Sequence, residues 1–404
     1  MKNLIIIGKV FPEPNSTAAG SRMIQLMDSF LTQNYQITFL STASISENSF
    51  DLSSKNIQFQ NILLNDDSFD ELIINLNPEI VIFDRFTTEE QFGWRVSEQV
   101  PNAVKILDTE DLHFLRNARE KAFKQNKVLE NSDLINDVFK RELASILRCD
   151  LSLIISEFEM NLLIEKFKMD ENILFYLPLF GEVKKSKTSF SERKNFVSIG
   201  NFLHEPNWQT VLQLKKLWKD IKKQLPEAEI HIYGAYATEK VFQLHNEKEG
   251  FIIKGRAESV ETVFNTAKVL LAPIPFGAGI KGKLLESMQF GLPNVTSAVG
   301  AEAMHGNLDW NGFITDDEND FIEEAVLLYQ DENLWQKSQE NGFNIIENRF
   351  KKELFEPHFI NKIQEISENL ESHRNLNFLG QILQHHTLQS TKYLSKWIEE
   401  KNKK

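Results

Sequence analysis

Cysteine is nearly absent: Cys149 is the single thiol in 404 residues. A lone cysteine excludes an internal disulfide and a cysteine-based metal cluster, and it suits a reducing compartment. It reads as a small buried hydrophobe beside the strand expected at 151–155. No later run approaches the roughly 18 consecutive apolar residues of a membrane span, so a soluble protein is expected. Met1 to Gly8 holds a short apolar run with no cleavage site behind it, and reads as a first strand rather than a signal peptide. An excess of basic residues is also missing, since 45 Lys and Arg stand against 58 Asp and Glu. The net charge of −13 and a pI near 5.3 argue against general nucleic-acid binding, which relies on a basic face. Any anionic ligand must therefore meet a local basic pocket. The histidines lack carboxylate or cysteine spacing, which gives no case for a metal site, and no short-period repeat is found.

What is present is alternation. In the first half, apolar runs at 4–7, 37–40, 80–83, 104–107 and 151–155 are separated by helical patterns at 19–31, 88–99 and 111–147. The pattern restarts with strands at 196–199, 229–233, 251–253, 269–272 and 294–296, between helices at 207–224, 238–245, 258–265 and 283–290. Such alternation predicts an α/β fold of two doubly wound, mostly parallel sheets, and 404 residues are too many for one core. The expected division is a Rossmann-like domain over 1–178, a Lys/Ser-rich linker over 179–194, a second Rossmann-like domain over 195–350, and helices over 351–404 that pack back on the first domain. The last helix, 376–401, reads as packing there rather than as a membrane-surface helix, because Glu399 and Glu400 dilute its basic face. The lysines from Lys401 onward read as a frayed end.

The densest chemistry lies in 273–293, Pro-Ile-Pro-Phe-Gly-Ala-Gly-Ile-Lys-Gly-Lys-Leu-Leu-Glu-Ser-Met-Gln-Phe-Gly-Leu-Pro. Here a glycine loop joins a buried strand to a short helix. Gly277, Gly279 and Gly282 allow backbone amides to approach phosphate oxygens, and the free N–H groups of the helix start favour an anion. Lys281 and Lys283 add two positive charges, while Glu286, about one turn in, suits a ribose diol. The plainer alternative is an ordinary strand-to-helix turn with solvated lysines.

Several residues at other strand ends face the same expected cleft. Gly20, Ser21 and Arg22 open a helix after the first strand, and serve equally as a cap or as phosphate contacts. Asp84 and Arg85 end a strand, either as an internal ion pair or as ligands of a bound molecule. Asp108 to Asp111 are explained by capping alone, whereas His113 could touch a bound molecule or assist proton transfer. Glu302 is a weaker candidate for contact with a nucleotide. Arg256 reads first as a solvated loop residue, and His231 as structural.

Together these residues resemble a family. Gly277-Ala-Gly-Ile-Lys-Gly-Lys-Leu-Leu-Glu-Ser-Met with Gly291-Leu-Pro and Ser297-Ala-Val-Gly-Ala-Glu302 looks like the donor-site signature of GT-B-fold glycosyltransferases of the family 4 or group 1 type. Ser198-Ile-Gly-Asn-Phe-Leu-His-Glu-Pro-Asn207 resembles the opening of that family's second domain, and the loop from Gly8 to Arg22 resembles its first. Leu107 to Arg116 has the same look. The resemblance covers roughly 1–350. It implies transfer of a sugar from a nucleoside-diphosphate sugar to a glycan or lipid-linked acceptor, with retention, without a metal, and with no cofactor besides that co-substrate.

On this reading Lys281, Lys283, Glu286 and His113 are the catalytic candidates. The donor is held by Gly20, Arg22, Gly200, Asn201, His204, Asn207, Gly277, Ala278, Gly279, Ile280, Gly282 and Glu302, and the acceptor by Asp84, Arg85 and Asp111. Two departures stand out. The family commonly carries two glutamates eight positions apart, and Ala278 occupies the first position. Asn201, His204 and Asn207 stand where an arginine and a lysine often grip the diphosphate, which leaves that charge mainly to Lys281 and Lys283. The expected location is the cytoplasm or the inner face of its membrane, with at most peripheral membrane contact. A nucleotide-sugar epimerase and a non-catalytic scaffold of the same architecture are the alternatives.

Overall fold

The computed structural model describes residues 2–185 and 188–402. Ser186 and Lys187 of the expected linker, and Lys403 and Lys404 of the lysine-rich end, lie outside the described residues.

The first sheet contains β1 (Lys2–Gly8), β2 (Tyr35–Ser41), β3 (Gln58–Asn61), β4 (Ile80–Asp84), β5 (Val104–Asp108), β6 (Leu151–Ile154) and β7 (Leu174–Tyr176). All seven run parallel in the order β3-β2-β1-β4-β5-β6-β7. Helices cover both faces, so strand residues of either parity are buried. Ile5 and Ile7 join one hydrophobic cluster, while Leu4 and Ile6 join the other. That is why β1 and β4 read as unbroken apolar runs instead of alternating ones. The second sheet contains β8 (Lys194–Ile199), β9 (Ile230–Tyr233), β10 (Phe251–Gly255), β11 (Ala267–Ala272), β12 (Asn294–Thr296) and β13 (Gly312–Ile314). It is again fully parallel, in the order β10-β9-β8-β11-β12-β13.

Three strands escape the apolar pattern. β3 is an edge strand whose four residues are all exposed, and β7 and β13 are three-residue edges. The expected helical region over 111–147 is two helices, His113–Lys124 and Asp137–Arg148. The second starts where the Asn136 side chain accepts from the Phe139 amide at 3.0 Å.

After Glu332–Arg349 the chain crosses back to the first domain. In the Glu356–Glu368 helix, Phe359, Ile363 and Ile366 are buried in the same cluster as Leu4 and Ile6. The terminal helix Phe378–Asn402 lies against the Phe86–Gln99 and Asp137–Arg148 helices. Arg95, almost fully buried, holds it there by pairing with Asp70 at 2.6 Å and with Glu399. Both sheets present their strand carboxyl ends to one inter-domain cleft, the usual ligand position of open α/β sheets.

Candidate active site

A cavity of about 600 Å³ lies between the domains, within the range that holds a nucleotide-sized ligand. Its walls come from strand ends. The first domain supplies Lys9 after β1, the loop Pro14–Ala19, Arg85 after β4, and Glu110, Asp111, His113 and Arg116 after β5. The second supplies Gly200, Asn201, His204 and Asn207 after β8, Arg256 after β10, and the 274–283 loop with Glu286 after β11.

On the second-domain wall the two lysines are taken out of water. Burial brings the Lys281 ammonium down to about 8, although Glu302 pulls the other way. Its Nζ donates to the Gly279 carbonyl at 2.8 Å. Burial likewise brings Lys283 down to about 8, and its Nζ donates to Asn207 Oδ1 at 2.7 Å. Asn207 is fixed in turn by donating to the Asn201 carbonyl at 2.9 Å. Gly200 is required beside it, since a Cβ there would sit 2.6 Å from the Asn207 side chain. Burial pushes the Glu286 carboxyl up to about 7 despite Lys184 and Lys283. Such displaced groups facing one cavity mark a functional site.

On the first-domain wall, β4 and β5 both end in left-handed backbone at non-glycine residues, with φ of 68° at Arg85 and 63° at Glu110. Each costs about 1–3 kcal/mol, a strain characteristic of functional turns. Burial, then Asp108, holds the Glu110 carboxyl well above the usual carboxylate range. Asp111 behaves oppositely. Burial would raise it, but Arg116, with which it pairs, and His113 hold it at about 2. His113 is oriented from below by the fully buried Glu142, which accepts from the His113 and Phe114 amides at 3.1 and 2.9 Å and stands 3.3 Å from Nδ1. Among the described residues no group of three or more His, Cys, Asp or Glu is arranged to hold a metal ion.

Several expected site residues have other duties. Arg22 is buried behind the wall, with Nε on Asp108 at 2.8 Å and Nη1 on the Leu177 carbonyl at 2.7 Å. Gly20 sits against the backbone of Glu13, and neither residue lines the cavity. Asp84 lies beneath the floor, accepting from the Lys9 amide and from Arg85, each at 3.1 Å. Glu302 forms a bidentate pair with Arg119 of the first domain at 2.6 and 2.9 Å, so it ties the domains together instead of facing a nucleotide.

Gly279 differs in a similar way. Its φ of +63° turns its amide onto the buried Glu159 carboxyl of the first domain at 2.9 Å. Glu159 also accepts from Leu112 N at 2.9 Å, and burial pushes it up to about 8. Ala278 packs into the first domain's hydrophobic cluster, which explains a small apolar residue where a glutamate is common. Gly277, Ala278, Gly279, Ile280, Gly282, Lys281, Lys283 and Glu286 all line the cavity on this wall, with Gly200, Asn201, His204 and Asn207 beside them and Arg85, Asp111 and His113 opposite. Lys9, Glu110 and Arg116, which line the cavity, were not anticipated, and neither were Arg119 and Glu159, which join the domains behind it. Arg116 and Arg119, one turn apart on a helix that starts at the cleft, offered a signal for two of them.

Residues 193–331 match the family described as glycosyl transferases group 1. The second domain is a glycosyl transferase group 1 domain. No curated protein matches the chain in sequence. The fold is similar to that of S. aureus TarM, solved as a mutant in complex with fondaparinux, α-GlcNAc-glycerol and UDP. The two share 9% identity over 90% of this chain and 100% of that one, with a TM-score of 0.69. It is similar also to the sucrose-phosphate synthase of Thermosynechococcus elongatus, with 12% identity over 91% of this chain and 99% of that one and a TM-score of 0.67. For the pneumococcal O-GlcNAc transferase GtfA in complex with UDP and GlcNAc, the values are 14%, 90%, 99% and 0.63. The fold is GT-B, and the match to glycosyl transferases group 1 lies in the second domain.

Proposed function

We propose that the cleft binds a nucleoside-diphosphate sugar and transfers its glycosyl group to a hydroxyl of a glycan or lipid-linked acceptor, with retention and without a metal. The observation that carries this is the pair Lys281 and Lys283, desolvated at the opening of the Gly282–Gln289 helix. Two similar structures were solved with UDP in place, which supports a nucleotide at this wall. As the bond from the anomeric carbon to the diphosphate oxygen breaks, its electron pair passes to that oxygen. Two ammonium groups and the opening helix amides stabilise this charge more in the transition state than in the ground state. The acceptor hydroxyl attacks the anomeric carbon, and its proton goes to the departing diphosphate, with His113 placed to orient the sugar. Retention and independence from metal rest on the resemblance of the 277–302 pattern. Glu286 is assigned the ribose diol, since a carboxylate accepts from two adjacent hydroxyls.

Glu286→Gln keeps shape but loses charge-assisted bonds, so KM for the donor should rise by roughly ten- to a hundredfold with a smaller change in kcat. Incubation with labelled nucleoside-diphosphate sugars tests the whole reading. Label should move to an added acceptor, with release of the nucleoside diphosphate. Rapid conversion of the donor to its epimer without acceptor would contradict it.

A further inference from the structure

A second cavity, of about 170 Å³, lies at the amino ends of β5 and β6, at the opposite end of the first sheet from the cleft. The terminal helix Phe378–Asn402 closes it from outside with Gly380, Gln381, Gln384 and Leu388, over Ser97, Lys105 and Asp150. Lys105 is the unusual residue of this wall. It is the second residue of β5, stands in register with Val81 of β4, and is only 7% exposed. A lysine buried to that degree is ordinarily paired with a carboxylate, because an ammonium taken out of water alone is costly.

Here cations and carboxylates do not balance. Arg374 is matched to Asp150, with Nε and Nη2 each 2.8 Å from one of its two oxygens, and Arg148 is matched to Glu89. Lys105 has no such match. Among the described residues its Nζ donates to two neutral oxygens, Ser97 Oγ at 3.0 Å and Gln384 Oε1 at 3.2 Å, which leaves one ammonium N–H over. Burial lowers this ammonium from its usual value, although Asp150 pulls the other way. The lysine also fixes Gln384, since only the amide oxygen can face a donor. Its Nε2 is then left buried with no acceptor among the described residues.

We infer that this pocket binds a small free oxyanion, a phosphate or a carboxylate, held between Lys105 and Gln384. The needs of the wall coincide: a charge to neutralise, a spare ammonium N–H and an orphaned amide N–H, all of which an oxyanion meets at once. A single water would bring no charge, and the cavity is several times the roughly 30 Å³ that a water occupies. Lys105 lies recessed beneath the terminal helix, so the ligand is a free anion and not a group carried on a larger surface. A bound anion ties the terminal helix to β5. The inference is independent of the cleft chemistry.

The test is calorimetric titration of inorganic phosphate, and separately of acetate, into the full chain. At least one of the two should bind saturably, and the stronger tells a phosphate site from a carboxylate site. Gln384→Leu should weaken that binding by about tenfold and Lys105→Met by at least about thirtyfold, each losing a bond to a charged group. Lys283→Met, which alters only the cleft, should bind as wild type does. Should Lys105→Met fail to fold, Gln384→Leu decides alone, because its residue lies on the terminal helix outside the sheet. The proposal is overturned if neither anion saturates in the millimolar range. It is also overturned if Gln384→Leu and Lys105→Met bind as wild type does while Lys283→Met abolishes binding, since the anion then sits in the cleft.

Discussion

Lys283→Met is expected to lower kcat/KM by about two to three orders of magnitude, mostly in kcat, because it removes a desolvated positive charge aimed at the leaving group. The same substitution should not weaken the fold. Burial displaces the Lys283 ammonium from 10.5 to about 8, a cost on the order of 3 kcal/mol to the empty protein at neutral pH. The folded value lies below the unfolded one, so the cost is fully present below about pH 8 and disappears above 10.5. Methionine keeps much of the side-chain volume without the charge. The thermal midpoint at pH 7 should therefore stay level or rise, less what Asn207 loses with its partner. Steady-state kinetics and calorimetry on the same preparation separate a catalytic lysine from a structural one, since a structural one would lower both.

Donor affinity should be highest near pH 7–8 and fall steeply above it. In the empty cleft both lysines titrate near 8, whereas a bound diphosphate holds them protonated. Above that point binding must take up two protons, and affinity falls by up to about a hundredfold per pH unit. Below about 7, protonation of Glu286 removes charge-assisted acceptance from the ribose and adds a shallower decline. Calorimetric titration of a nucleoside diphosphate between pH 6 and 9.5, in buffers of different ionisation heat, reads both the slope and the proton uptake. An affinity flat to pH 9.5 would remove the lysines from the phosphate site.

The legible part of this molecule is what burial and local chemistry write into short windows. β1, β4, β5 and β11 were readable because a sheet covered on both faces demands continuous apolar runs. The glycine loop was readable because glycines, lysines and a carboxylate cluster within ten residues. Edge strands were not: β3 is fully exposed and carries no pattern. The roles of Arg22, Gly279 and Glu302 were hidden for a different reason. Each is decided by a partner far away in sequence, at Asp108, Glu159 and Arg119, and no local spacing encodes whether a charge faces a ligand or another charge. Ala278 departs from the family's usual glutamate, and the first-domain cluster it enters accounts for its size. The terminal helix was misread in one respect. The helix does lie on the first domain, but its packed side carries Gly380, Ser395 and Glu399 with Leu383, Leu388 and Ile398 half-buried, and its other large apolar side chains face outward.

The central claim is that Lys281, Lys283 and Glu286 form one wall of a nucleoside-diphosphate-sugar site. Thermal stability measured across a panel of nucleoside diphosphates and their sugars tests it most directly. At a concentration a hundred times its Kd, the right donor stabilises the fold by about 2.7 kcal/mol. The account predicts a clear upward shift with at least one member, and its loss in Lys283→Met. No shift with any member, or a shift that survives that substitution, would contradict it.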